Sequence, residues 1–74
     1  MKNTIASNYV LKTIGHHLIK WAMHRIRAGT MTAQQFAEQQ APNVRPGDNT
    51  RQTISTGIVE LMHTKPEDLP ITLR

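Results

Sequence analysis

The apolar residues in the first third of the chain recur with the period of an α-helix. Ser7 or Asn8 is a suitable N-cap for such a helix, and Gly29 can end it in a left-handed conformation. Gly15 costs about 1 kcal/mol relative to alanine inside a helix, but the pattern continues through it. We therefore predict one helix over residues 8–28. On a wheel drawn at about 100° per residue, its apolar stripe consists of Val10, Leu11, Ile14, Leu18, Trp21 and Ala22.

The second helix has the clearest start signal in the chain. Thr32, followed three residues later by Gln35, forms a capping box in which each side chain can satisfy a backbone N–H. Met31 before the cap and Phe36 inside the helix form the matching hydrophobic staple. The proline that follows disfavours helical backbone at the residue before it. We predict a short helix over residues 33–41.

A third helix follows a loop that contains a proline–glycine turn signal. The loop occupies residues 43–48, and Asp48 or Asn49 can cap the helix that begins after it. We predict this helix over residues 50–63. Its apolar stripe consists of Ile54, Ile58, Leu61 and Met62.

The end of the chain does not continue the helical pattern. Pro66 and Pro70 confine residues 71–73 to a short extended tail or, at most, one edge strand. The 74 residues include no cysteine, so neither a disulfide nor a thiolate metal site can stabilise the domain. We predict an all-α fold over residues 1–74: a single, compact three-helix domain with a short extended C-terminal tail.

Charge is unevenly distributed. The net charge is +4, and no acidic residue precedes Glu38. A cationic half of a chain indicates an anionic partner, such as nucleic acid, a lipid surface or an acidic protein, although a solvated helix face with incidental charge gives the same pattern. On the first predicted helix, the face opposite the apolar stripe carries Thr13, His16, His17, Lys20, His24 and Arg27.

The third predicted helix begins with polar side chains. The exposed side of its first two turns carries Arg51, Gln52, Ser55 and Thr56, and their donors and acceptors suit base edges and phosphates in a DNA major groove. An ordinary polar surface at the start of a helix has the same composition. The pattern therefore leaves both interpretations open.

Two segments together resemble a known family. Residues 31–39, Met-Thr-Ala-Gln-Gln-Phe-Ala-Glu-Gln, and residues 49–55, Asn-Thr-Arg-Gln-Thr-Ile-Ser, resemble the two halves of a helix-turn-helix DNA-binding motif, with the longer connection that winged-helix proteins tolerate. The resemblance implies a packing helix with Ala37 inside and a recognition helix after it. It further implies base-facing roles for Arg51, Gln52 and Ser55, and phosphate contacts by Thr50 or Thr53.

These observations favour a small DNA-binding transcriptional regulator of bacterial, plasmid or phage type. We expect a homodimer, because one short helix reads too few bases for useful specificity. Further phosphate contacts are expected from Lys20, His24, Arg27 and Arg45. The alternative is a protein-interaction module, an inhibitor or adaptor that binds a protein partner through a helix face, with Met23, Met31, Met62 and Trp21 as adaptable contact residues.

Other classes of function find little support in the sequence. No nucleophile elbow, phosphate-binding glycine loop or metal quartet is present, so we expect neither an enzyme nor a cofactor. His16 and His17 point about 100° apart on a helix, and His17 and His24 lie about 10 Å apart, so we expect no metal site. No apolar run is long enough to span a bilayer, and a small domain without disulfides fits the cytoplasm.

Overall fold

A computed structural model describes residues 4–74, which form four α-helices and two short 3₁₀ turns. The α-helices are α1 (Ile5–Thr13), α2 (His16–Arg27), α3 (Ala33–Gln40) and α4 (Thr50–Met62), and the turns are Pro66–Asp68 and Ile71–Leu73. No strand is present in the described residues. The predicted all-α class is therefore confirmed for this part of the chain. None of its helices combines the length and apolarity that crossing a membrane requires.

The prediction of one helix over residues 8–28 is wrong, because Ile14 and Gly15 interrupt it and divide it into α1 and α2. Both residues have extended backbone, with ψ angles of 134° and 139°. The buried residues explain the break. On one continuous helix, Val10 would face about 120–180° away from Ile19, Ala22 and Met23. The break turns α2 relative to α1, so that both sets reach the same core.

Helix α1 also begins earlier than residue 8. Thr4 is its N-cap, and the Thr4 side chain accepts a hydrogen bond from the backbone N–H of Ser7 at 3.2 Å. The Ser7 side chain accepts one from the backbone N–H of Thr4 at 2.9 Å, which completes a capping box. The prediction of Ser7 or Asn8 as the N-cap is therefore wrong. Residues 1–3 lie outside the described part of the chain.

The other predicted helix boundaries agree closely with the structure. Gly29 has a φ of +77°, and the backbone N–H of Thr30 donates to the carbonyl of Arg25, as in a left-handed helix end. The Thr32–Gln35 capping box has both bonds, at 3.0 and 2.9 Å. Helix α4 begins at Thr50 as predicted and ends at Met62, one residue before the predicted end.

Helix α4 is the centre of the packing. It packs along α1 and α3, whereas α2 makes its most extensive contacts with the second 3₁₀ turn. The core is a single cluster to which every helix contributes. It consists of Val10, Ile14, Ile19, Ala22, Met23, Met31, Phe36, Ala37, Ile54, Ile58, Leu61, Leu69 and Leu73.

The predicted extended tail is also corrected. Residues 71–73 form a 3₁₀ turn, and Leu73 is buried in the core together with Leu69. Pro66 stands at the start of the first turn and Pro70 precedes the second, positions that suit the fixed φ of proline. The backbone of residues 66–73 therefore makes two local turns, and Leu69 and Leu73 close the core.

Candidate nucleic-acid interface

One exposed edge of α2 is a row of positive charge. Lys20, His24 and Arg27 recur at helical spacing, lie within an arc of about 60° and cover about 10 Å of helix length. All three are exposed, and within residues 4–74 their side chains have no hydrogen-bond or ionic partner. We call these three residues the cationic ridge. They are available to an anionic ligand.

The cationic ridge also stabilises the helix that carries it. His24 and Arg27 lie in the last turn of α2, where positive charge is favourable beside the unpaired carbonyls of the helix end. The opposite face of α2 buries Ile19, Ala22 and Met23 in the core. This packing fixes the direction of the ridge relative to the rest of the molecule.

Two residues expected on this face lie elsewhere. His16 is half-buried, and its Nδ1 lies 2.6 Å from the hydroxyl of Thr72 in the C-terminal turn. Thr13 belongs to α1, and its hydroxyl donates to the carbonyl of Tyr9 at 2.7 Å. The cationic surface is therefore shorter than the sequence predicted, because the helix break separates Thr13 from α2 and the C-terminal turn covers His16.

The start of α4 presents the residues that the sequence placed in a DNA groove. Gln52 is exposed and Ser55 is half-buried. The backbone N–H and hydroxyl of Thr50 donate to the Asp48 carboxylate at 2.9 and 2.5 Å. These two bonds hold the pKa of Asp48 below its ordinary value of 3.8, because they stabilise the carboxylate. The hydroxyl and backbone N–H of Thr50 are therefore already bonded at the start of α4.

Arg51 has structural partners as well. Its Nε donates to the carbonyl of Ala41 at 2.8 Å, and its Nη2 donates to the carbonyl of Pro42 at 3.1 Å. Ala41 is the C-cap of α3, where carbonyls have no partner inside the helix, and Pro42 is the next residue. The guanidinium therefore joins α3 to α4. Arg45, in contrast, is exposed in the loop between these helices.

An open cleft of about 530 Å³ lies between α3 and the start of α4, and we call it the α3–α4 cleft. Gln34 and Glu38 form its α3 side. Neither residue was predicted as part of a site, because the capping box and the hydrophobic staple indicate only the start and the inward face of this helix. Their spacing of four is the signal that places them together on one face. The other lining residues are Gly47, Asp48, Asn49, Arg51, Gln52, Ser55 and Thr56.

A second open cleft, of about 470 Å³, lies between α2 and α3, and we call it the α2–α3 cleft. Trp21 and Arg25 form its α2 side, with the guanidinium carbon 5.6 Å from the centre of the indole ring. Trp21 was predicted in the apolar stripe, but it is 43% exposed because the helix break rotates the buried face of α2 away from it. The remaining lining residues are Thr30, Met31, Gln35, Glu38 and Gln39.

The two clefts and the cationic ridge have a definite order around the molecule. Glu38 lines both clefts, so the exposed face of α3 lies between them. On α2, Trp21 and Arg25 occupy the edge nearer α3, whereas Lys20 and Arg27 occupy the edge about 120° away. The cationic ridge therefore lies on a different edge of α2 from the one that lines the α2–α3 cleft.

No known protein family, curated protein or solved structure matches this chain. Within residues 4–74, no group of three histidine, aspartate or glutamate side chains is arranged to hold a metal ion. The candidate surfaces are therefore the ridge and the two clefts.

Proposed function

We propose that the protein is a small regulator that binds duplex DNA, with the cationic ridge against the phosphate backbone. The observation that carries the proposal is the ridge itself: Lys20, His24 and Arg27 are exposed in a row and have no partner within the described residues. When such cations neutralise DNA phosphates, counterions condensed on the DNA are released. This release supplies affinity that does not depend on the DNA sequence.

The first two turns of α4 are the proposed base-reading element. Gln52 and Thr56 are exposed one turn apart, and Ser55 lies beside them. Amide and hydroxyl groups of this kind both donate to and accept from base edges. Helix α3 packs closely on α4, as the first helix of a helix-turn-helix motif does, and Arg51 holds the end of α3 to α4.

We further propose that the protein acts as a dimer. A single helix start contacts only a few base pairs, whereas two copies related by a twofold axis read two half-sites about one DNA turn apart. Exposed Arg45 precedes α4 in the chain and is proposed as an additional phosphate contact. Light scattering with and without a short duplex measures both the oligomeric state and the number of duplexes bound.

The ridge is tested by the salt dependence of DNA binding. We expect fluorescence anisotropy with a mixed-sequence duplex to show affinity that falls steeply with salt. The double variant Lys20→Ala/Arg27→Ala should bind more weakly and reduce the slope of log K against log salt by about two. The control Lys12→Ala/Lys65→Ala removes the same charge from other exposed positions. Equal slopes for the two double variants would remove the ridge from the proposed interface.

The base-reading role of α4 has a different signature. We expect Gln52→Ala to reduce discrimination among duplex sequences selected for binding, while leaving the salt slope unchanged, because an amide neutralises no phosphate. A change in salt slope, or an unaltered ranking of sequences, would contradict this role.

A second function, binding of a protein partner, is favoured by exposed apolar side chains. Ile5 is 89% exposed and Ile71 79% exposed, and Trp21 is open at the α2–α3 cleft. Met23 and Met31, considered as contact residues from the sequence, are instead buried in the core. Capture of one specific protein that persists after nuclease treatment, together with no affinity for duplex DNA, would favour this function over the first.

A further inference from the structure

We propose that the α2–α3 cleft binds an unpaired nucleobase, stacked on Trp21. The proposal rests on the proposed function only in taking nucleic acid as the ligand, and it assigns a site that duplex binding does not need. The cleft has a volume of about 470 Å³, is open to solvent and combines an aromatic ring with charged and amide side chains. These are the groups that proteins use to hold single-stranded bases.

The stacking surface is the indole of Trp21. At 43% exposure it is the exposed large hydrophobic side chain of α2, and Arg25 lies over it with its guanidinium carbon 5.6 Å from the ring centre. A base has a flat π-face of similar size and takes the place of the guanidinium on the ring. Arg25 is exposed and long enough to turn toward the phosphate of the same nucleotide.

The edge of the base meets the polar wall on α3. Gln39 offers an amide that both donates and accepts, and Glu38 offers a carboxylate that accepts only. The amide oxygen of Gln35 accepts from the backbone N–H of Thr32 in the capping box, so Gln35 offers its amide NH₂ as a donor. A guanine presents two neighbouring N–H donors on its Watson–Crick edge, which match the two oxygens of one carboxylate. The site therefore favours guanine over thymine, which presents a single N–H donor on that edge.

Charge distinguishes this ligand from an acidic peptide. A carboxylate-bearing peptide placed in the cleft would meet Glu38 as a like charge. A nucleotide carries a neutral base and a charged phosphate at opposite ends. The base lies against Glu38, and the phosphate lies toward Arg25 on α2. The carboxylate of Glu38 on the α3 side and the guanidinium of Arg25 on the α2 side together fit a nucleotide.

The single tryptophan of the chain gives the test its readout. Trp21 fluorescence is titrated with a ten-nucleotide single strand of oligothymidine carrying one central guanine, and with a blunt duplex of the same sequence. We expect the single strand to quench the emission to saturation and the duplex to leave it nearly unchanged. Equal quenching by both would overturn the proposal, since no unpaired base would then be needed.

Variants separate stacking from general affinity. With a labelled strand and anisotropy, Trp21→Ala should weaken binding roughly 5- to 150-fold, which corresponds to the loss of one base–aromatic stack. Tyr9→Ala is the matched control, because Tyr9 is also exposed but lies on α1. Thermal unfolding confirms that each variant folds. Equal weakening by the two substitutions would overturn the assignment of the stack to Trp21.

The edge contact is tested by Glu38→Gln, which retains the tryptophan signal and lies on an exposed position. Wild-type protein should bind the guanine-containing strand more tightly than plain oligothymidine, and Glu38→Gln should abolish that preference. A preference that survives the substitution would overturn the role of Glu38. If the protein binds duplex DNA in a salt-dependent way but single strands do not quench Trp21 fluorescence, only the base-binding cleft is contradicted. If single strands quench the fluorescence but duplex DNA does not bind, only the proposed function is contradicted.

Discussion

At the scale of single residues, Arg51 joins the end of one helix to the start of another. One of its two hydrogen bonds satisfies the carbonyl of Ala41, the C-cap of α3, and the other satisfies the carbonyl of Pro42, the residue before which the helix ends. This side chain positions α4 against α3 before any ligand is present. We therefore interpret it as a positioning residue for the start of α4.

The replacement Arg51→Ala should lower the free energy of unfolding by about 1 kcal/mol, the net worth of charge-assisted hydrogen bonds that are partly exposed to water. Gln52→Ala is the neighbouring control, and it should change stability by less than about 0.5 kcal/mol because Gln52 is exposed. Urea unfolding of both variants measures the difference. Equal free energies of unfolding for Arg51→Ala and Gln52→Ala would mean that the guanidinium does not stabilise the contact between α3 and α4.

Asp48 provides a pH-dependent contribution at the same junction. Hydrogen bonds from Thr50 lower its pKa in the folded protein, so the unfolded chain binds a proton more readily. The stabilisation is therefore fully present above the unfolded value of 3.8 and is lost as pH falls through the folded pKa. Thermal unfolding of wild type and Asp48→Asn from pH 2 to 7 should show two curves that converge at acid pH. A constant difference across this range would exclude the ionised carboxylate as the cause.

At the scale of elements, the contact between α1 and α4 depends on a glycine. A Cβ atom at Gly57 would lie 2.5 Å from the carbonyl oxygen of Ala6 and 2.5 Å from a methyl carbon of Val10. Both distances are shorter than real contacts, and one of the partners is backbone. The two helices therefore approach as closely as they do because position 57 has no side chain.

Gly57→Ala should destabilise the protein by about 1–3 kcal/mol, because forcing the helices apart outweighs the better helix propensity of alanine. Gly15→Ala is the control, since a Cβ at Gly15 meets nothing within 4 Å and its φ of −58° suits any residue. Denaturant unfolding compares the two variants. A stabilised Gly57→Ala protein would show that α1 and α4 can separate without cost.

At the scale of the whole molecule, the last residues of the described chain complete the core. Leu69 and Leu73 are buried beneath the two 3₁₀ turns, and His16 on α2 contacts Thr72 in the second turn. In a domain of 74 residues, each buried leucine is a substantial share of the apolar surface removed from water. The C-terminal turns are part of the fold rather than an appendage to it.

Leu73→Ala should therefore cost about 2–4 kcal/mol of stability, as for other buried leucines, and should leave a marginal fold. Ile71→Ala is the matched control two residues away, because Ile71 is 79% exposed and its loss removes no core contact. Thermal unfolding distinguishes the two. If the substitutions have equal effects, the C-terminal turn is not closing the core.

Local signals in the sequence identified much of the helical framework. The capping box at Thr32, the left-handed Gly29 and the start of α4 at Thr50 all involve residues within a few positions of one another. Their hydrogen bonds can be worked out without knowledge of the rest of the fold. The exposure of Lys20, His24 and Arg27 was predictable for the same reason, because an apolar stripe implies a polar face opposite to it.

The sequence by itself determined the helical class, most helix ends and the cationic character of α2. Only the tertiary structure decided the break at Ile14 and Gly15, the exposure of Trp21, the buried C-terminal turn and the two clefts that meet at Glu38. The physical reason is that local hydrogen bonds and periodicity act within one element. The burial of distant side chains in one shared core sets the direction of each element. These directions in turn decide which surfaces meet.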